Sequence, residues 1–301
     1  MLTGYFQINA KKCSLHRVIL ETVFYGWMIA GVYVIAKLSG ILNGIKVTFD
    51  NLLEAVLNPV SSGTWWFVTV YVFVVLSSQT VNSLLQRFNK VVFIRFILIS
   101  WMFWYTVAYF IYIPFADIYR GFFFYILGAF CRLHMAPVKG RGQRLFCALM
   151  FCGSWILGAF LFYETAKFSL HESSVAVKFI LVFSRTLYFS LVIPICSITV
   201  FKIFEAVEIG KNHVINIIAS TTFCVYLLSD SQITRNILWH RILKVDVFWY
   251  TKQMFPLFTI GIIVVVFSVS ALIDLIRIRY IEPKYLNLAE RCWKLIDFKK
   301  C

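Results

Sequence analysis

Charge is what this chain has little of. Only 14% of its 301 residues are charged, and acids are the rarer kind, 14 Asp and Glu against 29 Lys and Arg. A soluble domain carries about a quarter charged residues, so a water-facing globule is excluded. Proline is also scarce, six in all, which leaves long stretches without a helix breaker. None of the eight cysteines forms a C-x-x-C pair, and His16, His134, His171, His213 and His240 show no metal-ligand spacing. The cysteines read as reduced packing residues and no metal site is expected. Walker, G-x-S-x-G and G-x-G-x-x-G patterns are missing, which removes the common nucleotide-fold and hydrolase readings. The net charge of +15 sits in short loops between apolar runs, and there is no nucleic-acid module to use it.

What is present is apolar: 60% hydrophobic and 18% aromatic residues. The expected fold is all-α, a polytopic transmembrane bundle forming a single domain over 1–301. About eight runs are long enough to cross a bilayer or nearly so. They are Val18–Leu38, Trp65–Leu85, Val91–Ile113, Ile118–Cys131, Leu145–Tyr163, Val177–Ile203, Val214–Leu228 and Phe255–Ile276. No cleavable secretory signal is apparent, so the first span serves as the insertion signal. Lys and Arg concentrate in the loops that lie inside if the N-terminus is inside, which predicts N-in and C-in. The outer loop 229–254 breaks the pattern with Arg235, Arg241, Lys244 and Lys252. It reads as an interfacial helix or as an attractor for an anionic substrate. Phe49–Leu57, ahead of Asn58-Pro59, is amphipathic and reads as a helix on the membrane surface.

Polar groups inside spans are the candidates for chemistry, because each is costly in lipid unless partnered or hydrated. Gln79, Asn82 and Gln86 fall at i, i+3 and i+7 on one helix face. That face is either helix-to-helix glue or the wall of a cavity. Arg185 lies deepest of the charges, inside the sixth span; Glu21, Arg95, Asp230 and Asp274 lie at span ends, where snorkelling accounts for Arg95 and Asp274. His134 reads as an interfacial histidine or an acid/base group. The cluster Lys11, Lys12 and Arg17 reads as a cytosolic anchor or as a clamp for a phosphorylated ligand.

Several stretches, taken in order, resemble the bacterial membrane acyltransferase 3 family of polysaccharide O-acetyltransferases. Thr3-Gly4-Tyr5-Phe6 and the helix from Leu20 to Tyr25 look like its S-G-Y-F region. Gly63 to Tyr71, running on to Ser78 and Asn82, is similar to its W-F-x-x-x-Y span. Gly121 to Ala129 resembles its Y-L-I-G span, and Ile217 to Leu228 its I-A-S-x-T-F-G-V-Y-L-I-H span, with Asp230, Arg235 and Trp239 continuing the match. The family's proline is Gln79 here and its histidine after Y-L-I is Ser229. Its Arg/Lys-x10-His helix, which carries the proposed catalytic base, has no counterpart. The chain therefore reads as N-terminally incomplete or degenerate, with the catalytic residue unassigned.

The resemblance implies an enzyme of the inner or plasma membrane that moves an acyl group, acetyl in this family's pattern, from acyl-CoA to a glycan hydroxyl. No bound cofactor is expected; acyl-CoA is a substrate, and the partners are membrane lipid and the glycan acceptor. Lys11, Lys12 and Arg17 would hold the donor's phosphates. Trp65, Trp66 and Tyr71 would shape the outer mouth, and Tyr226, Ser229 and Asp230 would belong to the substrate cavity. Gln79, Asn82 and Arg185 would line the passage. Rival readings are a transporter or flippase for a lipid-linked glycan and an inactive remnant of the family.

Overall fold

The computed structural model describes residues 1–10, 15–40, 48–61, 64–103, 116–169, 181–184, 186–207, 210–245 and 255–287. Among these, every regular element is helical. In chain order they are α1 (Leu2–Gln7), α2 (His16–Leu38), α3 (Phe49–Leu57), α4 (Trp66–Leu85), α5 (Lys90–Met102), α6 (Ala116–His134), α7 (Arg141–Ser169), α8 (Ile193–Glu205), α9 (His213–Asp230), α10 (Gln232–Arg235) and α11 (Phe255–Ile276). Three π-helical turns interrupt the regular winding, at Tyr188–Val192, Asn236–Ile242 and Arg277–Ile281.

Among the described residues, six helices are long and apolar enough to cross a membrane: His16–Leu38, Trp66–Leu85, Arg141–Glu164, Leu181–Glu205, His213–Asp230 and Leu257–Asn287. Their outer faces carry large apolar side chains; on α7 alone Trp155, Ile156, Phe160 and Phe162 are exposed. A water-soluble monomer does not expose apolar surface on that scale, whereas lipid would cover it. The expected span at 91–113 is helical as Lys90–Met102, and 104–115 lie outside the described residues. The expected span Ile118–Cys131 is helix α6, which carries Asp117, Arg120 and Arg132 and so falls short of the apolar six.

The chain divides into two compact units. Unit 1 comprises Met1–Cys13 and Val70–Ile209. Here α1 lies against α6, and two glycines set the approach. A Cβ on Gly4 would stand 2.0 Å from the Tyr125 carbonyl oxygen, and one on Gly128 2.0 Å from that of Met1. The last carbonyls of a helix lack partners within it, and α4 supplies them: the side-chain amides of Asn82 and Gln86 donate to Gln7 O at 2.8 Å and Ile8 O at 2.6 Å. Ile8, Leu85, Phe93, Ile126 and Ala129 pack into one apolar cluster below these bonds. On the other flank, Pro194 cannot donate to the carbonyl four residues back, which is Ser190. Trp101 Nε1 takes that carbonyl instead, at 2.8 Å, and the chain passes the site in the π-turn Tyr188–Val192.

Unit 2 comprises Ser14–Thr69 and Gly210–Cys301. In it α9 packs on α11 and α2 on α3. The surface helix expected at Phe49–Leu57 has those bounds, with Thr48 as its N-cap. It is pinned by Trp27 Nε1, which donates to Val56 O at 2.8 Å, and by Gly26, where a Cβ would stand 2.2 Å from Ala55 O. Phe49 and Leu57 remain exposed on it.

Candidate functional site

Two groups of polar and aromatic side chains in unit 2 are built on helix ends. The last four carbonyls of α9 belong to Leu227, Leu228, Ser229 and Asp230, and each accepts from a side chain. Trp65 Nε1 donates to Leu227 O at 3.0 Å, the Thr234 hydroxyl to Leu228 O, Trp239 Nε1 to Ser229 O at 3.0 Å, and Arg235 Nη2 to Asp230 O at 3.3 Å. In the same place the Phe67 backbone N–H, in the first turn of α4, donates to the Tyr226 hydroxyl at 3.3 Å. The start of α4 and the end of α9 thus satisfy one another's orphaned groups. Trp65 is fully buried by this, while Trp66 and Phe67 stay about half exposed, and Phe67 meets Tyr226 edge-on at 5.7 Å. Arg235 and Asp230 pair at 2.6 Å with their side chains partly open. Flat apolar rings next to an accessible ion pair make a surface that suits a sugar: ring faces for its C–H groups, charged acceptors and donors for its hydroxyls.

The second group is a buried charge cluster between α2 and the end of α11. Arg277 is only 2% exposed. Its Nε donates to Asp274 Oδ1 at 2.6 Å, its Nη2 lies 3.0 Å from Glu21 Oε1, and its Nη1 lies 3.3 Å from Glu282 Oε2 and also reaches the Tyr285 hydroxyl. Tyr25 donates to Asp274 Oδ1 at 2.7 Å. Arg17 closes the rim, 2.7 Å from Glu282 Oε1, with its own side chain more than half exposed. Arg277 stands in the π-turn that follows α11, a helix irregularity that is frequent at functional sites. Asp274 is therefore not a snorkelling residue, as its position at a span end suggested; it is fully buried and held on one oxygen by two donors.

The expected site residues fall in both units. Trp65, Trp66, Tyr226, Ser229 and Asp230 come together in unit 2 as described above. Tyr71, Gln79 and Asn82 belong to unit 1. Asn82 is buried, donates to Gln7 O and accepts from the Tyr125 hydroxyl at 2.7 Å, the bonding of an interhelical tie; Gln79, three residues earlier, is exposed. Lys11, Lys12 and Arg185 lie outside the described residues. Arg17 is engaged by Glu282. Arg95 is exposed, as snorkelling predicts.

The reading of single residues missed Arg277, Glu282, Tyr25 and, in unit 1, the group Tyr5, Arg132, Lys202 and Glu205. One signal was present: Asp274 and Arg277, like Lys202 and Glu205, are opposite charges at i, i+3 on a helix. The described cysteines, Cys131, Cys147, Cys152, Cys196 and Cys224, are free thiols. Among the described residues no three His, Cys, Asp or Glu side chains gather as a metal would need. Comparison with protein-family models, with curated proteins and with solved structures returned no match.

Proposed function

We propose that the chain is an integral membrane acyltransferase that O-acetylates a surface or lipid-linked polysaccharide from a cytosolic acyl-CoA donor. In this reading it has about eight spans, both termini inside, and sits in the inner or plasma membrane. The supporting observation is convergence. The stretches that carry the resemblance to the acyltransferase 3 family are far apart in the chain, yet they meet in space. Gly4 and Tyr5, Asn82, and Tyr125 to Gly128 pack and bond together in unit 1. Trp65 to Phe67, Tyr226 to Asp230, Arg235 and Trp239 bond together in unit 2. A chance likeness among apolar spans carries no requirement that its few polar and glycine positions find one another.

The reaction breaks the acyl–sulfur bond of the donor and forms an acyl–oxygen bond to the sugar; the hydroxyl's proton leaves with the coenzyme thiol. Trp66, Phe67 and Tyr226 would lie under the sugar ring, and Asp230 and Arg235 would bind its hydroxyls. Lys11, Lys12 and Arg17 would take the donor's phosphates. Tyr71 would help shape the outer mouth, Gln79 and Arg185 would line the passage, and Asn82 would fix its wall, because both ends of its amide are already engaged.

The test is mass spectrometry of surface polysaccharide from cells with and without the gene, and with Trp66→Ala and Asp230→Asn. Loss of one acetyl per repeat unit on deletion, and in both variants, is expected. Identical spectra with altered glycan export would replace this reading by the transporter one.

A further inference from the structure

The loop from Arg132 to Arg144 in unit 1 is not used by the reading above. No Asp or Glu occurs between Arg120 and Glu164 in the sequence, while Arg132, Lys139, Arg141 and Arg144 all do. All four are exposed. A general preference for basic residues on one side of a membrane would explain the charge, but it asks for no particular geometry, and here there is one.

Arg132 Nη1 donates to the Tyr5 hydroxyl at 3.0 Å, and the guanidinium lies over the Tyr5 ring at 5.0 Å. The Tyr5 hydroxyl in turn donates to Glu205 Oε1 at 2.7 Å. The other Glu205 oxygen pairs at 2.7 Å with Lys202, which is 2% exposed. That buried lysine answers the carboxylate's charge, so Arg132 is oriented by the chain of bonds without being neutralised by it. Lys202 also donates to Ala136 O at 3.3 Å, and the Lys139 N–H donates to Gln143 Oε1 at 3.2 Å. Both bonds fix the course of the loop that carries the other cations. The first turn of α7 holds Arg141 and Arg144 and no acid. Cations there oppose the helix dipole and lower stability unless an anion is present.

We propose that this loop is a binding site for a phosphate ester, with the Arg132 guanidinium as its fixed fork and Lys139, Arg141 and Arg144 as the surrounding charge. Arginine in a set orientation matches two phosphate oxygens at once, whereas lysine acts as a point charge. The phosphate can come from an anionic lipid headgroup or from a soluble phosphorylated metabolite. The site stands whether or not the chain transfers acyl groups.

The experiment uses the full chain in nanodiscs. One arm holds phosphatidylcholine discs and titrates glycerol 3-phosphate; the other counts phosphatidylglycerol retained from mixed discs by native mass spectrometry. The expected result is that Arg132→Lys, which keeps the charge but loses the fork, weakens one of the two by about tenfold. Loss in the first arm identifies a soluble phosphate, loss in the second a lipid. Arg141→Gln, which touches none of the Tyr5 bonds, weakens the same arm by a smaller factor and guards against a folding defect in the first variant. Arg95→Gln, an exposed guanidinium elsewhere on unit 1, leaves both arms unchanged. The proposal is overturned if Arg132→Lys and Arg141→Gln bind as the parent chain in both arms, or if Arg95→Gln matches their loss.

Discussion

Replacing Arg277 by methionine keeps the length of the side chain and removes the one fully buried cation of its cluster. Three carboxylates then face one another, since Asp274, Glu21 and Glu282 lie 2.6, 3.0 and 3.3 Å from the guanidinium. At an effective dielectric near 20, each contact at such a distance is worth roughly 5 kcal/mol of gross attraction. Most of that is offset by the several kcal/mol needed to dehydrate each ion. What the mutation exposes is the offset: the dehydration remains and the attraction is gone. The expected loss is about 3–5 kcal/mol of unfolding free energy.

The assay is reversible unfolding in mixed micelles followed by circular dichroism, with Asp274→Asn and the double variant measured alongside. Asp274→Asn removes a charge but keeps an oxygen for the Tyr25 hydroxyl, so its cost is smaller. The double variant leaves fewer unanswered charges than Arg277→Met alone and recovers about 1–3 kcal/mol as coupling energy. The reasoning is refuted if Arg277→Met costs under about 1 kcal/mol, or if the two substitutions add within roughly 0.5 kcal/mol.

Asn82→Leu removes the donor to Gln7 O and the acceptor for the Tyr125 hydroxyl. It is expected to cost about 1–3 kcal/mol per group left unsatisfied in the same assay, and Tyr125→Phe added to it should cost little more. Gly4→Ala and Gly128→Ala push a methyl into backbone oxygen at 2.0 Å and should cost about 1–3 kcal/mol. Gly153→Ala, within α7 and with nothing within 4 Å of its Cβ position, should instead gain about 0.5–1 kcal/mol from helix propensity; equal effects at the three glycines would refute the packing described for α1.

Much of the architecture could be read before any coordinates. A span in lipid must be both long and apolar, so length and hydropathy suffice to find one, and Trp66–Leu85 and His213–Asp230 fall within two residues of the expected bounds. The helix Phe49–Leu57 was legible because an amphipathic run ends at the Asn58-Pro59 stop. Asp274 was misread because a carboxylate at a span end can either reach for water or bond inward. Only the position of a partner decides, and Tyr25 is 249 residues away in sequence. Arg277 stays hidden for the same reason: it follows the last apolar run, where a cation needs no partner in the protein. The π-turn that places it leaves no composition signal, since its residues, Arg-Ile-Arg-Tyr-Ile, would also suit an ordinary helix.

The scarcity of charge that marks the sequence also bears on function. In lipid a polar side chain is kept only where it answers another polar group or meets a ligand. Around α9 the first duty is plain: Trp65, Thr234, Trp239 and Arg235 each cover one carbonyl that the helix end leaves open. Around Arg277 it is plain again, with acids and guanidinium answering one another inside the protein. Two groups beyond those duties bear on function. Asp230 and Arg235 still present charge at the edge of exposed rings, and Arg132 presents a guanidinium that is held in place yet not neutralised. Structure accounts for how these groups are held but not for why they stay open. An acceptor at the first position and a phosphate at the second would account for both.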